Sequence, residues 1–568
     1  MLRAFAIRPS SLYLRMYLAL VLVALVAAPL YALPSSLELG GHWCGDEAAS
    51  PAIKNANHIF NAIHSSMRQW GSSLHHNGMS FFLADIPAGT ELYHGRRDNV
   101  TVKGFDWLAF EPEHAMNFAR QMRPLPPKDG KPLSDHQGNA REELISRHDD
   151  LSHADLTDRR RQRLLGGSDQ VDVHDDKEKK PPQHGRPNDD WEMIPGWLHT
   201  YRMKHLRVVY VDGEAAAKSQ KGTLDSQDYV LAPSTDREDP DKPGRGPPGD
   251  YRRAKQMCDM AADEWQRKVD GFIRMEHGFE LILCDFEKSA DLVRMARVSN
   301  GEVFNNRDGG ITLLSFLKAI GARYHSIGGD RVKIDYDNFV TAFAADLDLF
   351  HGESDLPRLD NITVEQRTSL LASLRDLVLH DEPSTTPVNW QSIADMIIAR
   401  YSDPLHSFAF DHFESKKALN YSLTLLLKPF IDYDARNISL EISRCATHFL
   451  PTFPHHSIAG TATLKVSYQI CSTLLSTLNS TASVSTSQSH IANLVSWLSW
   501  TSWKECRPGC KYDEFCLTAI WPIGDQESHE RPYCVNATDL GDAARRPGGG
   551  ESYWNEMRPH PRGAPSGS

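Results

Sequence analysis

The stretch GTELYHGRRDNVTVKGFDWLAFEPEHAMNFAR, residues 89–120, decides how this chain folds. ELYHG opens with apolar and aromatic residues after a turn at Pro87 and Gly89, and reads as a strand arriving at a polar edge held by His94. A second short strand, WLAF, follows the turn residues around Gly104. Glu111, Pro112 and Glu113 then start a helix, with proline early, acids in the first turn, and Ala115, Met116, Phe118 and Ala119 as its apolar face.

The flanking chain continues the strand and helix signals. Residues 53–70 have the apolar spacing of an amphipathic helix, and Leu206 to Val211 is a β-branched and aromatic strand. Residues 251–269 form a second amphipathic helix, and residues 271–275 and 279–285 two further strands around a turn at His277 and Gly278. Together residues 44–286 read as an α+β domain. Two insertions, 124–190 and 236–250, are too polar and proline-rich to bury a face and are expected to be disordered, the first interrupted by a short helix around 141–165.

Beyond this domain, residues 289–402 carry helical periodicity, including ADLVRMARV and YDNFVTAFAADLDLF. Residues 403–496 form a mixed region whose STASVSTSQSH stretch reads as flexible or O-glycosylated. Residues 497–540 are rich in Trp and Cys, and 541–568 form a Gly/Pro/Arg tail without core-forming content. A chain of 568 residues exceeds a single core, and a net charge of -12 without a basic stripe argues against a general nucleic-acid binder.

Arg3, Arg8 and Arg15 precede an apolar run that Pro29 interrupts and Ala32 closes, so residues 1–32 have the three regions of a secretory signal peptide. The alternative is an uncleaved anchor through residues 17–33, and no other long apolar run suggests a mature membrane span. A secreted or lumenal route agrees with six sequons, at Asn99, Asn361, Asn420, Asn437, Asn479 and Asn536. The nine cysteines are an odd number. Cys506, Cys510, Cys516 and Cys534 have a spacing that zinc could use, but in an oxidising lumen, with no His at a ligand spacing, disulfides among the four are expected.

No G-x-S-x-G, HExxH, GxxxxGK or EF-hand loop is present. A metal site from His114, His199 or His205 is weaker than chance proximity among 26 histidines, so no metal is expected. Glu276 and Glu280, beside His277, form a candidate carboxylate pair, with a solvent-exposed strand face as the plain alternative.

The LYHG strand, the second strand and the helix after it resemble the beginning of an ADP-ribosyltransferase fold of the histidine subgroup, over residues 81–120 and 197–286. The resemblance implies nicotinamide adenine dinucleotide as the dinucleotide bound. It further implies that His94 binds the nicotinamide ribose, that Trp107 or Phe110 flanks the nicotinamide ring, and that Glu280 stabilises the oxocarbenium-like transition state. These residues must then converge on one cleft. The competing expectation is a non-catalytic secreted or lumenal protein that binds a partner through its Trp/Cys-rich segment.

Overall fold

The computed structural model describes residues 50–124, 191–215, 221–232, 250–298, 310–322, 330–351, 355–380, 387–451, 457–540 and 553–554. The signal segment, Cys44, nearly all of both insertions and most of the tail lie outside the described residues. Among the described residues no helix is long and apolar enough to cross a membrane.

The architecture is α+β. A nine-stranded sheet is built from β1 (Ser80–Ile86), β2 (Glu91–Arg96), β3 (Asp106–Ala109), β6 (Trp197–Met203), β7 (Leu206–Val211), β8 (Gly271–Met275), β9 (Phe279–Leu283), β10 (Ala290–Arg297) and β11 (Lys333–Thr341), in the order β10-β6-β2-β3-β9-β8-β7-β1-β11. Every neighbouring pair is antiparallel except β7 and β8. Between β3 and β6 a separate hairpin pairs β4 (Arg120–Pro124) with β5 (Trp191–Pro195).

The expected helix over 53–70 is broken into shorter pieces, among them α1 (Ala56–Ser65) and α2 (Gln69–Leu74), because Met67 turns through φ 52° between them. α3 (Pro112–Met116) is short and lies across β2. A Cβ on Gly95 would sit 1.9 Å from the Ala115 carbonyl oxygen, so the glycine of LYHG is needed for that helix to approach the strand. α4 (Asp250–Asp263) begins at Asp250, which is buried and paired with Arg253, so the second insertion ends one residue earlier than expected.

The helical reading of 289–402 fails at two places, since ADLVRMAR is edge strand β10 and KIDYDNFVT is edge strand β11. KIDYDNFVT is rich in β-branched and aromatic residues, whereas ADLVRMAR has only Val293 of that kind, and pairing with an open sheet edge makes both of them strands. α5 (Ile311–Ala322), α6 (Val364–His380) and α7 (Trp390–Phe410) are helical as read.

Residues 403–496 are mostly helix: α8 (Lys416–Leu427), α9 (Ile438–Thr447), α10 (Ile458–Asn479) and α11 (Val484–Leu498). Much of STASVSTSQSH lies in the first turns of α11. Ser483 caps the helix by accepting from the Thr486 N–H, and Ser487 joins Ile491, Leu494 and Leu498 on the buried face. These helices and the sheet share one core.

Cys258 pairs with Cys284, tying α4 to the end of β9, and Cys445 with Cys471, tying α9 to α10. In the C-terminal segment Cys506 pairs with Cys516 and Cys510 with Cys534 around the small sheet of β12 (Glu514–Leu517) and β13 (Tyr533–Asn536). Several disulfides fit an oxidising, non-cytosolic environment. Trp500 is buried, stacked between Phe60 and Trp503, and the Trp503 indole N–H donates to Ser402 O. These tryptophans fasten the segment onto the core.

Candidate functional site

The structure divides the residues expected to converge. β3 lies between β2 and β9, and the ladder aligns Tyr93 with Ala109 and Ala109 with Glu280. Paired residues of an antiparallel ladder share a face and neighbours along a strand alternate, so Glu280 and Trp107 face one side of the sheet and His94 the other. The His94 Nδ1–H donates to the Trp107 carbonyl at 2.7 Å, and its Nε2 lies 3.8 Å from Asp106. Phe110, just past β3, is buried beneath the Arg331 guanidinium.

Glu280 accepts from Arg274 Nε at 2.9 Å, and Arg274 Nη1 donates to Gln227 at 3.0 Å. Beside them Arg253 bridges Asp228 and Asp250. All six side chains are buried between the sheet, α4 and a π-helical turn at Ser226–Leu231. Glu280 is therefore held in an internal ion pair. Glu276 stands just past the end of β8, two residues beyond Arg274, whose buried guanidinium lies near both Glu280 and Glu276.

Among the described residues, the groups spaced to hold a metal involve only Cys506, Cys510, Cys516, Cys534 and Glu514, and those thiols are in disulfides. His114, His199 and His205 have separate surroundings: His277, the Asp98 carbonyl and Asp85 respectively. Of the sequons, Asn99, Asn361, Asn437 and Asn479 are exposed, while Asn420 and Asn536 are half-buried.

A denser polar centre lies where the parallel strands β7 and β8 end. VVYVDGE carries Asp212 and Glu214 past β7, while Glu276 and His277 occupy the turn after β8. The loop before β1 brings in His76 and Asn77. Its approach requires glycine: a Cβ on Gly78 would meet Asp212 O at 1.8 Å, and Gly213, at φ +72°, would meet the Gly78 backbone. The Glu214 N–H then donates to His76 O at 2.9 Å.

Glu214 is fully buried. Its Oε1 accepts from the Trp521 N–H at 2.7 Å, and its Oε2 has no hydrogen-bond partner among the described residues. Burial, and then the nearby Glu276 carboxylate, raises the Glu214 carboxyl well above its ordinary range, which favours its neutral form. Asp212, whose Oδ1 accepts from the Ser80 N–H, is pushed up by burial to about 7. The His277 ring lies 5.3 Å from Trp521 and 6.1 Å from His114. The centre thus offers a carboxyl whose neutral form burial favours, with further carboxyl groups near it and imidazoles and an indole around them.

The sequence reading missed Asp212, Glu214 and His76. Acids directly after a buried strand were a usable signal. Their meeting with Glu276 depends on β7 and β8 being adjacent and parallel, a pairing no local pattern encodes.

Residues 50–308 match the family model described as the YPL277C N-terminal domain. Two curated proteins of Saccharomyces cerevisiae are similar over 245 residues, or 42% of this chain. Uncharacterized protein YPL277C is 30% identical, with 42% of its length covered. Uncharacterized protein YOR389W is 29% identical, with 33% covered. The chain therefore covers less than half the length of these relatives. No solved structure matches. The matched span holds His76, Glu214 and Glu276, while Trp521, His529 and Tyr553 lie beyond it, so the family resemblance belongs to the part of the chain that carries the paired carboxylates.

Proposed function

We propose that this chain is a secretory-pathway glycoprotein with hydrolase activity, and that Glu214 and Glu276 are its acid–base pair. The observation that carries this reading is the Glu214 carboxyl: fully buried, shifted by burial toward its neutral form, with one oxygen uncommitted and the Glu276 carboxyl near it. Two neighbouring buried carboxyl groups suit cleavage of a glycosidic bond, where one protonates the leaving group and the other stabilises the developing cation or activates water. Glu214 takes the acid role and Glu276 the carboxylate role. The disulfides and the sequons support the secretory part of the reading.

The test is turnover of a panel of aryl glycosides and nicotinamide adenine dinucleotide by the purified secreted protein. Glu214→Gln and Glu276→Gln should each lower glycoside turnover by about 100-fold or more, the usual scale of general acid–base catalysis. Cleavage of the dinucleotide that is lost in Glu280→Gln but kept in Glu214→Gln would replace this reading with the ADP-ribosyltransferase one. Glycoside turnover equal in native protein and both variants rejects the acid–base pair.

A further inference from the structure

Glu214 is sealed from solvent, and part of the seal comes from an unexpected source. Residues 541–568 are rich in glycine, proline and charge, yet Tyr553 and Trp554 within them are 5% and 4% exposed. Neither belongs to a helix or strand.

Tyr553 is held at several points. Its hydroxyl lies 2.6 Å from His76 Nε2, and His76 Nδ1 lies 2.6 Å from Asn77 Oδ1. Asn77 Oδ1 only accepts, so His76 carries its proton on Nδ1 and its Nε2 accepts from the tyrosine hydroxyl. The ring stacks on His529 at 4.4 Å, and Lys221 Nζ is 4.1 Å from its centroid. The Tyr553 N–H donates to Gly524 O at 3.0 Å, and the Trp554 indole N–H donates to Ile523 O at 2.9 Å. Both rings pack with Trp521, the residue whose backbone N–H is bound to Glu214.

We infer that the pocket formed by His76, His529, Lys221 and the Ile523–Gly524 turn is a recognition site for an aromatic peptide anchor, and that the chain's own Tyr553-Trp554 occupies it as a tethered cover over the acid–base pair. Two adjacent aromatics buried within a polar stretch are the pattern of a linear motif, in which a few anchors supply most of the binding energy. A hydroxyl-accepting imidazole selects Tyr over Phe at the first position. The tether keeps the effective concentration high, so the cover is closed by default and is displaced by cutting the tether or by a competing peptide of the same chemistry. The role as a cover rests on Glu214 being the working group; the binding site does not.

The experiment uses the full-length chain with Tyr553→Ala and Trp554→Ala together, and a fluorescent peptide of sequence GESYWNEM as probe. The double variant should bind the peptide, and native protein should bind it at least 100-fold more weakly because its own tail competes. The peptide with Tyr replaced by Phe should lose about tenfold, as should adding His76→Ala to the receptor. No binding by a folded double variant, or equal binding by native protein, overturns the site. Should the double variant fail to fold, a protease site inserted before Gly550 in otherwise native protein decides: after cutting, the released piece should dissociate on dilution with the remainder still folded, and unfolding on its loss marks the pair as ordinary core. Peptide binding is read without substrate, so its failure leaves the Glu214 assignment standing, and loss of that assignment leaves the pocket standing.

Discussion

Glu280 is a structural carboxylate by its surroundings. It is 4% exposed and paired to an arginine that is itself 1% exposed. Removing its charge leaves Arg274 buried beside a neutral amide, and breaking a buried pair from one side costs about 3–5 kcal/mol. Glu280→Gln is therefore expected to lower unfolding stability by that order in urea titration. Glu214→Gln, at a carboxyl that burial shifts toward its neutral form, should cost much less. Equal stability losses in the two variants would contradict this assignment of roles.

At the scale of elements, the cysteine pairs show which contacts need a covalent brace. Cys258–Cys284 and Cys445–Cys471 each close a loop of 26 residues between elements that are also packed in the core. Cys506–Cys516 and Cys510–Cys534 instead hold a segment with little core, whose buried apolar residues are those of two small clusters. Such a cross-link commonly contributes about 2–4 kcal/mol, and more of the fold depends on it where the core is small. Non-reducing peptide mapping of the purified protein should return these two C-terminal pairs. Cys506 linked to Cys510 or Cys534, or bound zinc with free thiols, overturns the arrangement.

Across the whole molecule, the buried histidines set the pH response. Burial holds His58 and His75 down at about 4 and His76 at about 3, with further lowering from neighbouring His75, Lys221 and Lys504, and it lowers His529 as well. In the unfolded chain each titrates near 6.5. As pH falls below 6.5 the unfolded chain takes up protons that the folded chain refuses until about 4, so these groups remove stability across that window. Asp212 and Glu214 act oppositely. Their raised carboxyls contribute stability present at low pH and lost as pH rises, through about 7 for Asp212. With His199 and His448 also lowered and Asp225 also raised, six histidines outnumber three carboxyls among the described residues, so the melting temperature should drop between pH 6.5 and pH 4.5. A rise over that interval would contradict the count.

The sequence by itself determined the strands and helix between residues 91 and 119, the strand 206–211, and the helix and strands of residues 251–285, because period-two and period-3.6 patterns are local and each element buries a face of its own. It also pointed to an oxidising compartment, through the sequons and the cysteine spacing. Tertiary structure decided what depends on partners distant in the chain. ADLVRMAR and YDNFVT became strands because sheet edges were open to pair with them. His94 and Glu280 were separated by one position of register, which in a pleated sheet is the difference between its two faces. The buried polar centre was assembled from residues 76, 214, 276 and 521 by the parallel pairing of β7 with β8 and by the close approach of Gly78 and Gly213. Neither leaves a periodic trace in the chain, because each depends on contacts between segments far apart in sequence.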